Sequence, residues 1–308
     1  MADRATKARR FAGGSFVALL TLFTTFVLLD TFVIPYRVVQ AAPARALPAP
    51  PAVPLVAPSL PAGLTPKVGP RTHVDSHRAI TMATYRFDDS DVYVADVAVS
   101  DPAVLRVGFA EGVYGRNVVE PTSTIAAANG AVLAINGAYY GAREASFVVL
   151  NGQVYRDRLL ADDQEDLVIT ADGDLQVVRE GDTTPVELVA SGAVSVLSFG
   201  PGLVRDGRVV VGPGNYNGNG KDTNPRTAVA QLGPLHYLFV VVDGRRHDSA
   251  GMNLTQLANF LVQYGVTTAY NLDGGGSSTM WYAGEVVNRP TTDGQTFVQR
   301  EISDIIYV

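Results

Sequence analysis

The feature that most constrains this fold is a long succession of short apolar runs, separated by turn residues, that begins near Arg71. In the runs 80–87 and 91–99 apolar and polar residues alternate, and an Asp-Asp-Ser turn lies between them. Alternation with a period of two predicts half-buried β-strands. Further strands are predicted at 104–110, 131–136, 194–199, 208–212, 266–272, 278–282 and 301–308, and hairpins at 166–178 and 226–244.

Helical periodicity is rare in this part of the chain. A short helix is predicted at 121–129, where a proline lies near the start. A longer helix is predicted at 255–264, where Gly265 provides a stop signal. Its apolar residues recur at helical spacing: Leu254, Leu257, Ala258, Leu261 and Val262. We therefore expect an α+β fold, a single domain of mixed or antiparallel β-sheets with few helices at 71–308, preceded by an N-terminal transmembrane helix.

The N-terminal segment predicts that helix. Residues 1–10 carry four basic side chains and one acidic one, and no charge occurs from Phe11 to Leu29. A membrane-spanning helix needs about 20 mostly apolar residues, which the stretch 11–34 supplies. The basic cluster places residues 1–10 in the cytoplasm as a basic tip. We expect a single-pass signal-anchor at 11–34 in the cell membrane and an extracytoplasmic domain. The alternative is a cleaved signal peptide, with a candidate cleavage site at 44–46.

A Pro/Ala-rich linker is predicted at 35–70, since nine of the 18 prolines lie in 41–70. The domain after it is acidic: residues 71–308 carry 17 basic and 28 acidic side chains, a net charge of −11. This balance argues against nucleic acid as a partner. Because the chain has no cysteine, disulfides, thiol nucleophiles and cysteine-ligated metals are excluded.

The loop after the apolar run 266–272 is the strongest candidate for a functional site. Asp273 is followed by three consecutive glycines and then by Ser277 and Ser278. A glycine run costs backbone entropy, and it is justified where N–H groups form a nest for an anion. The alternative is a glycine-rich hairpin loop, although ordinary hairpins need only one or two glycines.

Three other loops carry polar residues beside apolar strands. Arg226 precedes an apolar strand and suits a bidentate clamp on phosphate or carboxylate. Asp243 and Arg245 follow the next strand, and Asn136 ends a strand that two tyrosines follow. Taken singly, each has a plain structural alternative: a surface ion pair, a turn aspartate or core tyrosines.

These loops together resemble the phosphodiester glycosidase family, whose bacterial members are often labelled exopolysaccharide biosynthesis proteins. The similar stretches lie between 135 and 281: INGAYY (135–140), SFGPGLVRDG (198–207), NPRTAVA (224–230), VVDGR (241–245) and the segment 251–281 with NLDGGGSSTM. Ala138 stands where the family usually has a second glycine after the asparagine. That departure bears on which sugar is bound.

The resemblance implies an extracytoplasmic hydrolase that splits sugar-1-phosphodiesters of envelope or exopolysaccharide glycans into a sugar and a phosphomonoester. It implies an anion site and stabilisation of oxocarbenium-like charge. The implied phosphate-binding residues are Arg226, Arg245, Gly274, Gly275, Gly276, Ser277 and Ser278. The implied catalytic carboxylates are Asp273 and Asp243, and Asn136 and Asn271 are expected to orient sugar hydroxyls.

The expected partners are a glycan or sugar-phosphate substrate and, through the N-terminal helix, the membrane, but no nucleic acid. No cofactor and no metal ligand are expected, and a requirement for a divalent cation is left open. Two alternatives stand beside the hydrolase: a non-catalytic glycan-binding or assembly module, and a phosphodiesterase that cuts P–O instead of C1–O. Paired carboxylates near an anion nest argue against pure binding.

Overall fold

The computed structural model describes residues 15–27, 38–46, 55–58, 63–212 and 218–308. They fall into two units, Met1–Val38 and Val39–Val308. In the first unit a helix, α1, spans 15–27. None of the helices in the described ranges combines the length and the apolar character that a membrane crossing requires. The basic segment 1–10 and both ends of the predicted span 11–34 lie outside the described residues, so the transmembrane helix stays a prediction.

The largest sheet of the second unit has eight strands: β2 Val68–Val74, β3 Arg78–Phe87, β4 Ser90–Val99, β13 Gly202–Arg205, β14 Arg208–Val209, β15 Arg226–Gly233, β16 His236–Val242 and β17 Thr268–Leu272. Their spatial order is β14-β13-β17-β15-β16-β4-β3-β2. Every neighbouring pair in this sheet is antiparallel.

A second sheet contains β8 Ser146–Leu150, β9 Gln153–Arg158, β10 Glu165–Thr170, β11 Leu175–Arg179 and β12 Ala193–Ser198, in the order β11-β10-β12-β8-β9. A third contains β5 Arg106–Phe109, β7 Leu133–Asn136, β18 Met280–Tyr282, β19 Glu285–Val286 and β20 Asp304–Tyr307, in the order β19-β18-β7-β20-β5. A two-stranded ribbon joins β1 Val39–Gln40 to β6 Val113–Tyr114.

Helices are few and short in the described part of this unit. The α-helices are α2 Thr122–Ala128, α3 Pro185–Ala190 and α4 Leu254–Val262. Single 3-10 turns lie at Pro102–Val104, Ala110–Gly112, Tyr140–Ala142, Glu180–Asp182, Gly218–Lys221 and Gly275–Ser277. Asn253 caps α4, because its side chain accepts from the Gln256 N–H while the Gln256 side chain accepts from the Asn253 N–H.

The eight-stranded sheet is buried on both faces, which explains why β16 is an uninterrupted apolar run. Tyr237, Phe239 and Val241 belong to the core on one face, which also contains residues of the two five-stranded sheets. The alternate residues of β16 belong to a second core on the other face, formed with the apolar side of α4. A strand covered on both faces needs no polar alternation.

The structure confirms a sheet-rich α+β domain with few helices. The predicted strands at 80–87 and 91–99, both predicted hairpins and the helices near 122 and 255 are present. Sequence patterns missed the hairpin β8–β9, the strands β1, β2, β6, β13 and β19, and the helix α3. The sheet pairings are all antiparallel among the described residues, which narrows the expectation of mixed or antiparallel sheets.

Parts of the predicted linker contact the domain. β1 lies within 35–70 and pairs with β6. The Asn151 side chain donates to the carbonyl of Ala42 at 2.7 Å, and the Thr81 hydroxyl donates to the carbonyl of Pro58 at 2.7 Å. Residues 47–54 and 59–62 lie outside the described part of the chain.

Candidate active site

Three strand ends meet at one end of the eight-stranded sheet. β15 begins at Arg226, which is paired with the last residue of β16, and the adjacent Thr227 is paired with the last residue of β17. The loops at 243–245 and 273–278 therefore lie beside the start of β15. The antiparallel register explains why three of the loops singled out in the sequence come together although they are distant along the chain.

One end of the second sheet contributes to the same place. The segments before β8 and β10 and after β12 bring in Arg143, Gln164, Phe199 and Gly200. A cavity of about 470 Å³ is lined by these four residues together with Gly220, Asn224, Arg226, Arg245, Leu254, Asn271, Asp273, Gly274, Gly275 and Arg300. The predicted residues Arg226, Arg245, Asn271, Asp273, Gly274 and Gly275 thus line one cavity.

The cavity is cationic within an acidic domain. Its charged lining residues, among those the structure describes, are four arginines and one carboxylate, that of Asp273. Clustered guanidinium groups in a concave site create a positive potential that attracts anions. Such a lining suits a substrate that carries phosphate.

Asp273 is almost fully buried, and its carboxylate is held from two sides. The Ser277 hydroxyl donates to Oδ2 at 2.6 Å, and Arg300 Nη2 donates to the same oxygen at 3.3 Å. Burial raises the pKa of the Asp273 carboxyl, while the Ser277 hydrogen bond and the charge of Arg300 act in the lowering direction. The result is a carboxyl group with a raised pKa at the cavity wall.

Each of the three glycines after Asp273 has a different packing reason. A Cβ at Gly274 would lie 2.8 Å from the Pro225 carbonyl oxygen. Gly275 has a φ of +63°, and a Cβ there would lie 3.0 Å from Arg245 Nη2. A Cβ at Gly276 would overlap the Thr292 hydroxyl. The glycine run therefore allows neighbouring loops to approach closely.

The predicted anion nest of backbone N–H groups is interrupted at the middle glycine. The Gly275 N–H donates to the Pro225 carbonyl at 2.9 Å and is therefore used within the protein. The four guanidinium groups are the charged donors that line the described part of the cavity.

Arg226 and Arg245 are positioned by backbone and amide acceptors. Arg226 Nε donates to the Met252 carbonyl at 2.8 Å and Nη2 to the Asp222 carbonyl at 2.7 Å. Burial lowers the pKa of Arg226 to about 10, so the guanidinium stays charged at neutral pH. Arg245 Nη1 donates to the Thr292 carbonyl at 2.8 Å, next to Gly275.

Arg143 and Arg300 line the cavity and were not predicted from the sequence. Arg143 lies over the Phe199 ring at 5.3 Å, and its Nη1 is 3.4 Å from the Ser198 carbonyl. Arg300 Nε donates to the Ser277 hydroxyl at 2.8 Å and Nη2 to the Gly274 carbonyl at 2.9 Å. Arg300 lies in none of the stretches singled out in the sequence, and Arg143 lies three residues beyond the INGAYY stretch, so neither was named as a candidate.

The two asparagines have different environments. Asn271 lines the cavity and donates to the Gly200 carbonyl at 2.8 Å, while its buried Oδ1 has no hydrogen-bond partner. Asn136 does not line the cavity. Its Nδ2 donates to the Asp273 carbonyl at 2.6 Å, and its Oδ1 accepts from the Thr227 hydroxyl at 2.8 Å. Asn136 therefore holds the Asp273 backbone, while Asn271 has a free acceptor.

Asp243 lies outside the cavity, contrary to the position expected of a catalytic carboxylate. Its side chain is 1% exposed and accepts from Arg246 Nη1 at 2.7 Å and Asn288 Nδ2 at 2.9 Å. The Arg289 N–H approaches both of its oxygens at 3.2 Å. A carboxylate enclosed by these donors cannot reach a substrate in the cavity.

Gly276, Ser277 and Ser278 also do not line the cavity. The Ser277 hydroxyl is occupied between Asp273 and Arg300. The Ser278 hydroxyl is buried and has no hydrogen-bond partner. Within the described ranges, no group of three or more His, Asp or Glu side chains is placed to hold a metal ion.

Comparison with known proteins agrees with the sequence motifs. The family model described as phosphodiester glycosidase matches residues 129–308. The prophage-derived protein YomE of Bacillus subtilis is 26% identical over 162 residues, which are 52% of this chain and 24% of that protein. The N-acetylglucosamine-1-phosphodiester alpha-N-acetylglucosaminidase of Bos taurus is 32% identical over 98 residues, which are 31% of this chain and 18% of that protein.

Solved structures share the fold. The zebrafish N-acetylglucosamine-1-phosphodiester alpha-N-acetylglucosaminidase catalytic domain, auto-inhibited by its pro-peptide, superposes with a TM-score of 0.60 at 20% identity, covering 91% of this chain and 90% of that one. A hypothetical protein from Synechocystis gives 0.56 at 14% identity, covering 77% and 63%. The matches to the two curated relatives span less than a quarter of those proteins' length. Because the family model covers more than half of it, the chain belongs to the phosphodiester glycosidase family.

Proposed function

We propose that this protein is a hydrolase that cleaves the bond between C1 of a sugar and the oxygen of a phosphodiester. The observation that carries the proposal is the composition of the cavity: one largely buried carboxylate, that of Asp273, lies among four guanidinium groups. Family membership supports the same chemistry. The bovine and zebrafish relatives are named for an α-linked N-acetylglucosamine diester, so that sugar is the first to be tested.

In the proposed reaction the oxygen of water forms a bond to C1 while the C1–O bond to phosphate breaks. The electron pair of the broken bond stays on the phosphate oxygen. Asp273 accepts one proton of the attacking water and later releases it to solvent, which leaves a sugar with a hydroxyl at C1 and a phosphomonoester. The carboxylate also stabilises the positive charge that develops on the sugar ring.

Most glycosidases use two carboxyl groups, one of which protonates the leaving oxygen. In the described part of this cavity only one is present. A phosphate leaving group needs less protonation than an alcohol, and its growing negative charge is stabilised directly by Arg226, Arg245 and neighbouring guanidinium groups. Four cations and one carboxylate therefore suit a phosphodiester better than an ordinary glycoside.

The remaining polar groups are proposed to orient the substrate. Asn271 Oδ1 is an unpaired acceptor in a residue that lines the cavity, and a sugar hydroxyl would satisfy it. Asp243 and Asn136 act on the site indirectly, by fixing the loops around Asp273. The reaction as proposed uses no cofactor.

We further infer an extracytoplasmic location at a cell membrane, on envelope or exopolysaccharide glycans. The support lies in the sequence: a basic tip at 1–10 precedes the apolar stretch 11–34. An acidic domain that folds without cysteines is compatible with export. The alternative of a cleaved signal peptide leads to the same side of the membrane.

Hydrolysis of methyl α-N-acetylglucosaminyl phosphate in oxygen-18 water tests the reaction. Label in the sugar supports C1–O cleavage, and label in the phosphate identifies a phosphodiesterase that cuts P–O. Binding without turnover identifies a non-catalytic module. Asp273→Asn should reduce kcat by about 100-fold or more, while Asp172→Asn, in the exposed turn between β10 and β11, should retain the wild-type kcat. Full activity of Asp273→Asn would refute the assigned role.

A further inference from the structure

We propose that the site takes a polymer, a glycan chain whose sugars are joined through phosphodiesters, and cleaves it at internal linkages. The inference rests on the proposed function and extends it from a single linkage to a substrate class. It follows from the position of two further cavities and from the distribution of arginines.

The two further cavities adjoin the central one described above. One, of about 510 Å³, shares Gln164, Phe199 and Gly200 with it. The other, of about 250 Å³, shares Arg143 with it. The two flanking cavities share no lining residue with each other. A small diester is accommodated by the central cavity alone, so the flanking cavities provide room that a small substrate does not need.

The topology of the second sheet places the flanking cavities on opposite sides. Because all its pairings are antiparallel, β9 and β11 run in the same direction and end at the same end of the sheet. They are its two edge strands. Arg158 ends β9 in the smaller flanking cavity, and Arg179 ends β11 in the larger one. Four strand spacings separate these edges, roughly 19 Å at about 4.8 Å each.

The segments between these edges line the central cavity at the same end of the sheet. Arg143 precedes β8, Phe199 follows β12 and Gln164 precedes β10. The order across the sheet is therefore one flanking cavity, the central cavity and the other flanking cavity. Such a groove lets a chain enter at one side and leave at the other.

The charge distribution matches a polyanion. Of the 17 basic residues in 71–308, nine line these three cavities, and all nine are arginines. Of the 28 acidic residues, four do so. An acidic domain repels a polyanion elsewhere, so the positive groove would be the place where a chain of phosphodiesters binds.

Arg158 and Arg179 are the arginines best placed to bind phosphate in the two flanking cavities. Both are exposed, and neither forms a salt bridge with any residue in the described ranges. By contrast, Arg116 pairs with Glu144 at 2.7 Å in the smaller flanking cavity. The unpaired guanidinium groups at the two edges are available to phosphates on either side of the linkage being cleaved.

The test compares two substrates, methyl α-N-acetylglucosaminyl phosphate and a linear polymer of eight α-N-acetylglucosamine-1-phosphate repeats with a fluorescent label at one end. Release of reducing sugar gives kcat/KM for both, and gel electrophoresis gives the product lengths. Internal cleavage should give products of intermediate length in the first few per cent of reaction. Arg158→Gln and Arg179→Gln should each reduce kcat/KM for the polymer about 5-fold, and this reduction should be smaller at high salt. Neither variant should change kcat/KM for the methyl diester.

Arg71→Gln is the matched control, because Arg71 is a surface arginine paired with Glu285 and lines none of the three cavities. This variant should change kcat/KM for neither substrate. Stepwise release from one end, or equal effects of Arg158→Gln on both substrates, would overturn the proposal while the proposed function stands. If neither substrate is cleaved, the proposed function fails and this inference fails with it. Inhibition by single-stranded DNA as strong as by the glycan would show a general polyanion groove and overturn the substrate class.

Discussion

The hydrogen bond between Ser277 and Asp273 allows a sharp test of how the site works. Ser277 is fully buried, and its hydroxyl both donates to the Asp273 carboxylate at 2.6 Å and accepts from Arg300 Nε at 2.8 Å. Ser277→Ala removes the donor and leaves Arg300 without that acceptor. The loss of the donor withdraws stabilisation from the ionised carboxylate, while Arg300 Nη2 keeps its direct contact with Asp273 Oδ2.

The size of the effect follows from the bond that is lost. A hydrogen bond to a charged group contributes about 1.5–3 kcal/mol, and one pKa unit corresponds to about 1.4 kcal/mol. The pKa of the Asp273 carboxyl, already raised by burial, should therefore rise by about one to two further units in the variant. If the ionised form accepts the proton from water, the acid limb of kcat/KM moves to higher pH by the same amount.

The assay is the pH dependence of kcat/KM for the methyl diester. Ser278→Ala is the comparison, because the Ser278 hydroxyl is buried beside this network but has no hydrogen-bond partner. Its acid limb should coincide with that of the wild type. A uniform loss of activity in Ser277→Ala with an unmoved acid limb would show a purely structural role for Ser277 and refute the reasoning.

Two further predictions concern stability and location. Burial raises the pKa of the Asp304 carboxyl well above its usual range, so the folded state binds this proton more tightly than the unfolded state. Stability should then fall as pH rises from the unfolded pKa towards the folded one, by up to about 1.4 kcal/mol per pH unit. Asp304→Asn should gain stability relative to wild type as the pH rises above the unfolded pKa of an aspartate, measured by urea unfolding, and a pH-independent difference would contradict this. For the location, protease added to intact cells should digest the domain, and full protection until lysis would contradict export.

The strands could be predicted because the pattern of apolar residues along each one reflects which faces of the sheet are buried. The run of β16 is apolar on both faces, and its hairpin with β15 turns at Pro234 and Leu235, inside the predicted hairpin 226–244. The hairpin β8–β9 was missed although an Asn-Gly pair lies at its turn, with both residues at positive φ. The polar residues after that turn obscured the strand pattern.

The site could be predicted in part. Asp273 was found because an unusual glycine run follows it, and Arg226 and Arg245 because they flank apolar strands. Asp243 occupies an equivalent position at a strand end, but the sequence carries no information on the direction of its side chain, which turns to Arg246 and Asn288. Residues such as Arg300 reach the cavity from a segment close to the C-terminal strand, where nothing in the local pattern points to function.

The glycine run shows how packing and chemistry are connected in this site. A nest of amides would require the glycine N–H groups to face the substrate, but the Gly275 N–H is bonded to Pro225 and a side chain at 275 would press on Arg245. The three glycines therefore allow the loop that carries Asp273 to lie directly against the segments at 225, 245 and 292. The carboxylate and the guanidinium groups are brought to one cavity by that close approach. A chain with amide donors in this loop but a bulkier residue at 275 would lose the position of Arg245, and with it the anion binding that the amides were expected to provide.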